Sequence, residues 1–270
     1  MGLLAAIAMA AAQAVTALLP IGWRAHRAAI AGLTEWPMLT MPATFAVYVG
    51  LTLAVAAYFW RDMAAFAIGV GQIARGRREA EARLLLFVVG ATLPLGIIGF
   101  LIVFVLKDAR FTALASLTAI GWTSVVSGLL LYLSDRIGVT VRRISHMTWS
   151  SALIIGVVQI LALVPGIGRC GIAVTIARLL GFERIEAARL ALLLALPALI
   201  GTIGLLVVNL VRSGNVQFGI DAILAGLTAF VVGLSAVALM MSWLERKSFT
   251  PFALYRVLAG GALLGWIYFG

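Results

Sequence analysis

A chain of 270 residues that is 63% hydrophobic, only 11% charged and +1.13 in mean hydropathy does not read as a soluble domain. The net charge of +10 invites a nucleic-acid partner, but the basic residues fall between apolar runs, as the positive-inside rule requires. We therefore expect an all-α polytopic membrane protein with no nucleic-acid partner, and its one cysteine, Cys170, excludes an internal disulfide.

Residues 3–19 are apolar and run into Pro20. No basic region precedes them, so they read as the first arm of a structural unit, not as a cleaved leader. Residues 27–42, with Arg27, Glu35, Trp36, Pro37 and Pro42, form an interfacial connection. Six further apolar segments are long enough to span, or nearly so: about 43–60, 84–106, 111–133, 190–211, 219–243 and 252–269. The connections 61–83 and 134–147 and the turn after 243 carry most of the intervening arginines and face the cytoplasm. The turns Lys107–Arg110 and Arg212–Gln217 then face outward, as do both termini.

One stretch does not fit a plain span. Gln159–Gly181 is apolar at both ends, yet its middle reads Pro165-Gly166-Ile167-Gly168-Arg169-Cys170-Gly171. Proline and glycine at that density end a helix and free backbone N–H groups. A guanidinium at membrane depth costs roughly 2.5–3.5 kcal/mol on insertion scales, so it calls for a partner. Free amides, the positive start of the following helix and Arg169 together make a receptor for an anion, most simply phosphate. Residue 147 is cytoplasmic by its arginines, and the span at 190 must also begin in the cytoplasm. Segment 148–189 therefore enters and leaves on one side, as a re-entrant hairpin with the PGIGRCG loop at its tip.

The N-terminus repeats the pattern. Gln13, Thr16, Leu19, Pro20, Gly22 and Arg24 follow the order Gln, apolar run, Pro, Gly, Arg, and in both copies the arginine comes four positions after the proline. The chain then reads as a single membrane domain, 1–270, built as an inverted repeat. A first half, 1–135, has its hairpin at about 3–36, and a second half, 148–270, has its hairpin at about 148–189. An odd number of spans in each half inverts the second relative to the first and places a site near the midplane, where the broken helices meet.

These residues resemble the bacterial undecaprenyl-diphosphate phosphatases, the bacitracin-resistance family. Gln159 to Gly171 follows that family's QxLAxxPG run and PGxSRSG motif. Glu186-Ala187-Ala188-Arg189 with Leu193 to Ala198 is similar to its EAARFSFLLAIPA stretch. Gln13, Thr16, Leu19, Pro20 and His26 resemble its first motif, (E/Q)GxTEFLPVSSTGH. The resemblance implies a bacterial inner-membrane enzyme that dephosphorylates undecaprenyl diphosphate to recycle the cell-wall lipid carrier. It implies a polyprenyl phosphate or diphosphate as partner, and it leaves room for a divalent cation, Mg or Ca, and for a homodimer.

The departures bear on chemistry. Ala17 stands where the family has a glutamate, Gly22-Trp23 where it has paired serines, Arg24 for threonine, and Gly168 and Cys170 for serines. None of the ten acids lies inside either motif. Diphosphate hydrolysis needs cations on the phosphoryl oxygens, a nucleophile or positioned water, and a base or carboxylate-held metal. Arg169 and Arg24 meet the first need. Candidate phosphate ligands are these two arginines, Gly166, Gly168, Cys170, Gly171, Thr16, Gln13 and Gln159. The candidate catalytic residues are Arg169 and His26, the latter the sole histidine inside a motif and a nucleophile or base near neutral pH. Two other readings stand open at this point: a non-hydrolytic transporter of a polyprenyl-phosphate carrier, and a lipid-binding pseudoenzyme.

Overall fold

The computed structural model describes residues 2–34, 36–102, 116–138, 141–214 and 218–269. Glu35, the turn Lys107–Arg110 with the adjoining span ends, and residues 215–217 of the second outer turn lie outside the described residues. Eleven α-helices are described: α1 Leu3–Leu18, α2 Trp23–Leu33, α3 Met41–Tyr58, α4 Trp60–Ala74, α5 Ala80–Phe100, α6 Leu117–Ile137, α7 Trp149–Val158, α8 Arg169–Leu179, α9 Arg184–Ser213, α10 Ile220–Leu244 and α11 Thr250–Phe269. Two short 3-10 turns, Ile144–His146 and Gln159–Leu163, complete the list. Helices α3, α5, α6, α9, α10 and α11 are long and apolar enough to cross a membrane, and each answers to one of the six expected segments.

Two elements differ from expectation. The connection 61–83 is largely helical as α4, whose inward face packs on the core and whose outer face is apolar. Met63 and Phe66 pack on the core while Trp60, Ile68 and Val70 stay exposed. Helix α9 begins at Arg184, ahead of the apolar run, because its charged first turns find partners. Arg184 Nε donates to Asp135 at 2.8 Å and Arg189 Nη2 to Asp62 at 2.6 Å. Hydropathy discards such residues, whereas pairing lets them be helical.

Helix α3 packs along α10 and α9, α6 along α11, α1 along α10, and α7 along α5. Lipid gives little hydrophobic drive between helices, so close backbone approach at small residues carries much of this packing. On α11, a β-carbon at Gly260 would lie 2.8 Å from the Gly121 carbonyl of α6. The α1–α2 and α7–α8 units are two broken helices whose segments are shorter than the six spans, and their breaks lie against one another.

Candidate functional site

Each break is set by proline and glycine. Helix α1 stops at Leu18, before Pro20, and α2 restarts at Trp23 after Gly22, whose φ is +88°. The second unit tightens into its 3-10 turn, passes Pro165 and restarts as α8 after Gly168, at φ +72°. Side chains rarely adopt that left-handed backbone, so glycine suits both helix starts. Space demands it as well. A β-carbon on Gly168 would stand 3.0 Å from the Gly22 Cα, so the two loops touch backbone to backbone.

Side chains cross-tie the loops. Arg24 Nη1 donates to the Leu163 carbonyl at 3.0 Å, and Thr123 Oγ1 of α6 donates to the Pro165 carbonyl at 2.7 Å. Arg256 of α11, 2% exposed, donates to the Pro20 carbonyl at 3.2 Å and also to the carbonyls of Gly166 and Ile167 and to Ser127 Oγ. The amides of Gly168, Arg169 and Cys170 open α8 and donate to nothing among the described residues.

On the open side of the loops lies a cavity of about 500 Å³. One end is polar, lined by Arg24, Arg169, Tyr48, Trp23, Gly168 and Cys170. The other is apolar and runs between α5 and α9 along Leu95, Gly96, Gly99, Phe100, Pro197 and Leu205. A second, apolar crevice of about 410 Å³ shares Thr92, Gly96, Phe100 and Pro197 with it and reaches the exposed flank of α5. Neither Arg24 nor Arg169 forms an ion pair among the described residues, and Arg169 Nε is buried with no hydrogen-bond partner. Two uncompensated guanidiniums beside free amides make an electropositive end that accepts an anion.

The structure brings Arg24, Arg169, Gly168 and Cys170 to this cavity, with Ala17 beside them. The remaining candidates lie behind it. Gly166 turns its carbonyl to Arg256, and Gly171 packs against the same guanidinium. Thr16 Oγ1 donates to the Ala12 carbonyl at 2.6 Å. Gln13 and Gln159 are buried, with Gln13 Nε2 and both amide atoms of Gln159 left without partners. His26 does not line the cavity. Its Nδ1 meets the Gly22 carbonyl at 2.8 Å and its Nε2 the Tyr255 hydroxyl at 2.6 Å, with the two rings stacked. A carbonyl at Nδ1 fixes the proton there, so Nε2 accepts from Tyr255. Burial, ahead of the opposing Gly22 bond and joined by the charge of Arg256, holds the His26 pKa below its usual value.

Sequence reasoning passed over Arg256, Tyr255, Ser127, Thr123 and Tyr48. Arg256 alone left a signal, as a lone arginine inside the apolar run 252–269. The residues present do not suit a divalent ion held by protein carboxylates. The cavity lining includes no Asp, Glu or His, and no group of three such metal-binding side chains occurs among the described residues.

The family model for bacitracin resistance protein BacA matches residues 6–262. Undecaprenyl-diphosphatase 1 of Rhodospirillum rubrum is 42% identical, over 99% of this chain and 96% of that protein. Undecaprenyl-diphosphatase 1 of Paramagnetospirillum magneticum is 37% identical over 100% and 99%. The undecaprenyl-diphosphatase of Roseobacter denitrificans is 39% identical over 97% of each.

Proposed function

From the premise that this chain belongs to the bacitracin resistance protein BacA family, we propose that it hydrolyses undecaprenyl diphosphate to undecaprenyl phosphate and inorganic phosphate. The observation that carries this reading is the two-ended cavity. Its polar end offers Arg24, Arg169 and the amides that open α8, and its apolar end continues between α5 and α9 toward the lipid. A diphosphate on an isoprenoid chain has that same division of polarity.

In the reaction, water attacks the terminal phosphorus, the bond from that phosphorus to the bridging oxygen breaks, and the lipid keeps the other phosphate. Charge spreads over the transferred group's oxygens in a loose transition state, so neutralising it matters more than deprotonating the water. Arg24, Arg169 and the α8 amides supply that neutralisation. His26, held between Gly22 and Tyr255, serves as a positioning residue for the first loop.

We place the chain in the bacterial inner membrane with both termini outside and both broken-helix units re-entrant. The packing supports the inverted repeat. Exchanging α1 with α7, α3 with α9, α5 with α10 and α6 with α11 turns the α1–α10 contact into α7–α5 and the α3–α10 contact into α9–α5. The α3–α9 and α6–α11 contacts map onto themselves, as a pseudo-two-fold demands.

Phosphate release from undecaprenyl diphosphate by purified protein in detergent tests the function. Wild type is expected to turn over. Arg169→Lys is expected to lose most activity, because an ammonium cannot reproduce the bidentate fork. A folded wild type that binds the lipid and releases no phosphate would favour carriage or regulation over hydrolysis.

A further inference from the structure

Arg256 is a buried cation with no acid beside it. It projects from the second turn of α11, is 2% exposed and forms no ion pair among the described residues. A charge in such a place is costly and marks a role. Its partners are the Pro20 carbonyl from the first loop, the Gly166 and Ile167 carbonyls from the second, and Ser127 Oγ from α6, which itself reaches the Gly166 carbonyl at 3.4 Å. Gly171, in the first turn of α8, leaves the room that the guanidinium occupies. One side chain thus grips both loops from behind.

The grip has a consequence on the cavity side. No cis peptide occurs among the described residues, and across a trans peptide the carbonyl and the following N–H point in opposite directions. With the Ile167 carbonyl turned back to Arg256, the Gly168 N–H is turned forward, and Gly168 lines the cavity and gives that N–H to no acceptor among the described residues. Without Arg256, the Ile167–Gly168 peptide is free to rotate. Its carbonyl oxygen would then replace an N–H donor where a phosphoryl oxygen must sit, a swap of attraction for repulsion.

We infer that Arg256 is a positioning residue for phosphate recognition: by holding the loop carbonyls behind the site, it keeps the amides that open α8 aimed at the phosphoryl group. This deepens the functional reading above and rests on its assignment of the cavity to phosphate. It also explains why the position carries an arginine. Nη1 reaches the Pro20 carbonyl of the first loop while Nη2 reaches Ser127 and the carbonyls of the second, so two nitrogens of one planar group bridge the loops, which the single nitrogen of a lysine ammonium cannot do.

The test measures binding of inorganic diphosphate and turnover of undecaprenyl diphosphate by wild type, Arg256→Lys and Arg256→Met, with melting temperature recorded for each. Arg256→Lys and Arg256→Met, where folded, are expected to bind diphosphate at least about 30-fold more weakly and to lose turnover in proportion. A staple that only stabilises would lower the melting temperature and leave the dissociation constant of the folded protein unchanged. Should Arg256→Met fail to fold, Arg256→Lys decides, since it keeps the charge and loses the fork. Wild-type affinity in folded Arg256→Lys overturns the inference. A wild type that binds diphosphate without hydrolysing the lipid, with affinity still falling in Arg256→Lys, defeats the hydrolytic reading and leaves the inference standing.

Discussion

His26 stands one helical turn past Gly22, and that turn decides what it does. Its ring is spent on the Gly22 carbonyl and the Tyr255 hydroxyl, so its effect on the cavity passes through the loop backbone. His26→Ala releases Gly22, which touches Gly168 in the opposing loop, and displacements near 1 Å at a site can cost roughly 10²-fold in rate. We expect a loss of that order in kcat from His26→Ala, and a much smaller one from Tyr255→Phe, which removes only the Nε2 partner. Equal, complete loss in both would instead make Nε2 a reacting group. A pH effect accompanies this. The folded pKa of His26 lies below its unfolded value of roughly 6.5, so the unfolded chain takes up the proton more readily. The stability from neutral His26 is therefore present above about pH 6.5 and drains away as pH falls through the folded value. Thermal midpoints of wild type and His26→Gln are expected to converge as the solution is acidified through that window. The arginines at 24 and 169 were legible in the sequence, because a charge next to Pro and Gly in apolar surroundings has few explanations. The placement of His26 was not, because spacing gives helix phase and does not say which side of a loop faces the cavity.

At the scale of elements, the six spans follow from apolar length, and the two breaks follow from Pro20, Gly22, Pro165 and Gly168. What hydropathy hid is the polar knot that fastens the elements at one end. Asp135, 3% exposed on α6, accepts from Arg178 of α8 at 3.1 Å, from Arg184 of α9 at 2.8 Å, and from the Phe249 amide before α11 at 3.1 Å. Arg178 also donates to the carbonyls of Asp135, Gly138 and Phe182. One carboxylate thereby ties four elements, and only the fold brings its partners together from distant parts of the chain. Asp135→Ala leaves Arg178 buried without its counter-ion, a change that typically costs about 3–5 kcal/mol. The variant is expected to melt at markedly lower temperature, while whatever remains folded keeps the wild-type KM, since the cavity lining includes none of these residues. A wild-type melting temperature would show the knot to be dispensable.

For the whole molecule, the packing symmetry and the arginine distribution bear on the same proposal, and they are independent of each other. The six contacts named above that exchange or map onto themselves when one half replaces the other are consistent with a pseudo-two-fold axis, whereas charge counts reflect the insertion machinery. Arg75, Arg77, Arg78 and Arg83 fall between α4 and α5 or at the start of α5, and Arg136, Arg142 and Arg143 between α6 and α7 or at the end of α6. Both groups are assigned to the cytoplasm. If so, α7 and α8 leave on the side they entered, and their loop meets the first loop within the membrane. Single cysteines on a Cys170→Ala background test this in intact cells with an impermeant thiol reagent. Arg77→Cys and Val141→Cys, at exposed positions, are expected to stay unlabelled until the membrane is opened, whereas Tyr268→Cys is expected to label at once. Labelling at 141 but not at 77 would make the α7–α8 unit face the opposite side from the one assigned here and would break the inverted repeat. Labelling at both 77 and 141, with none at 268, would invert the whole chain relative to the orientation proposed here.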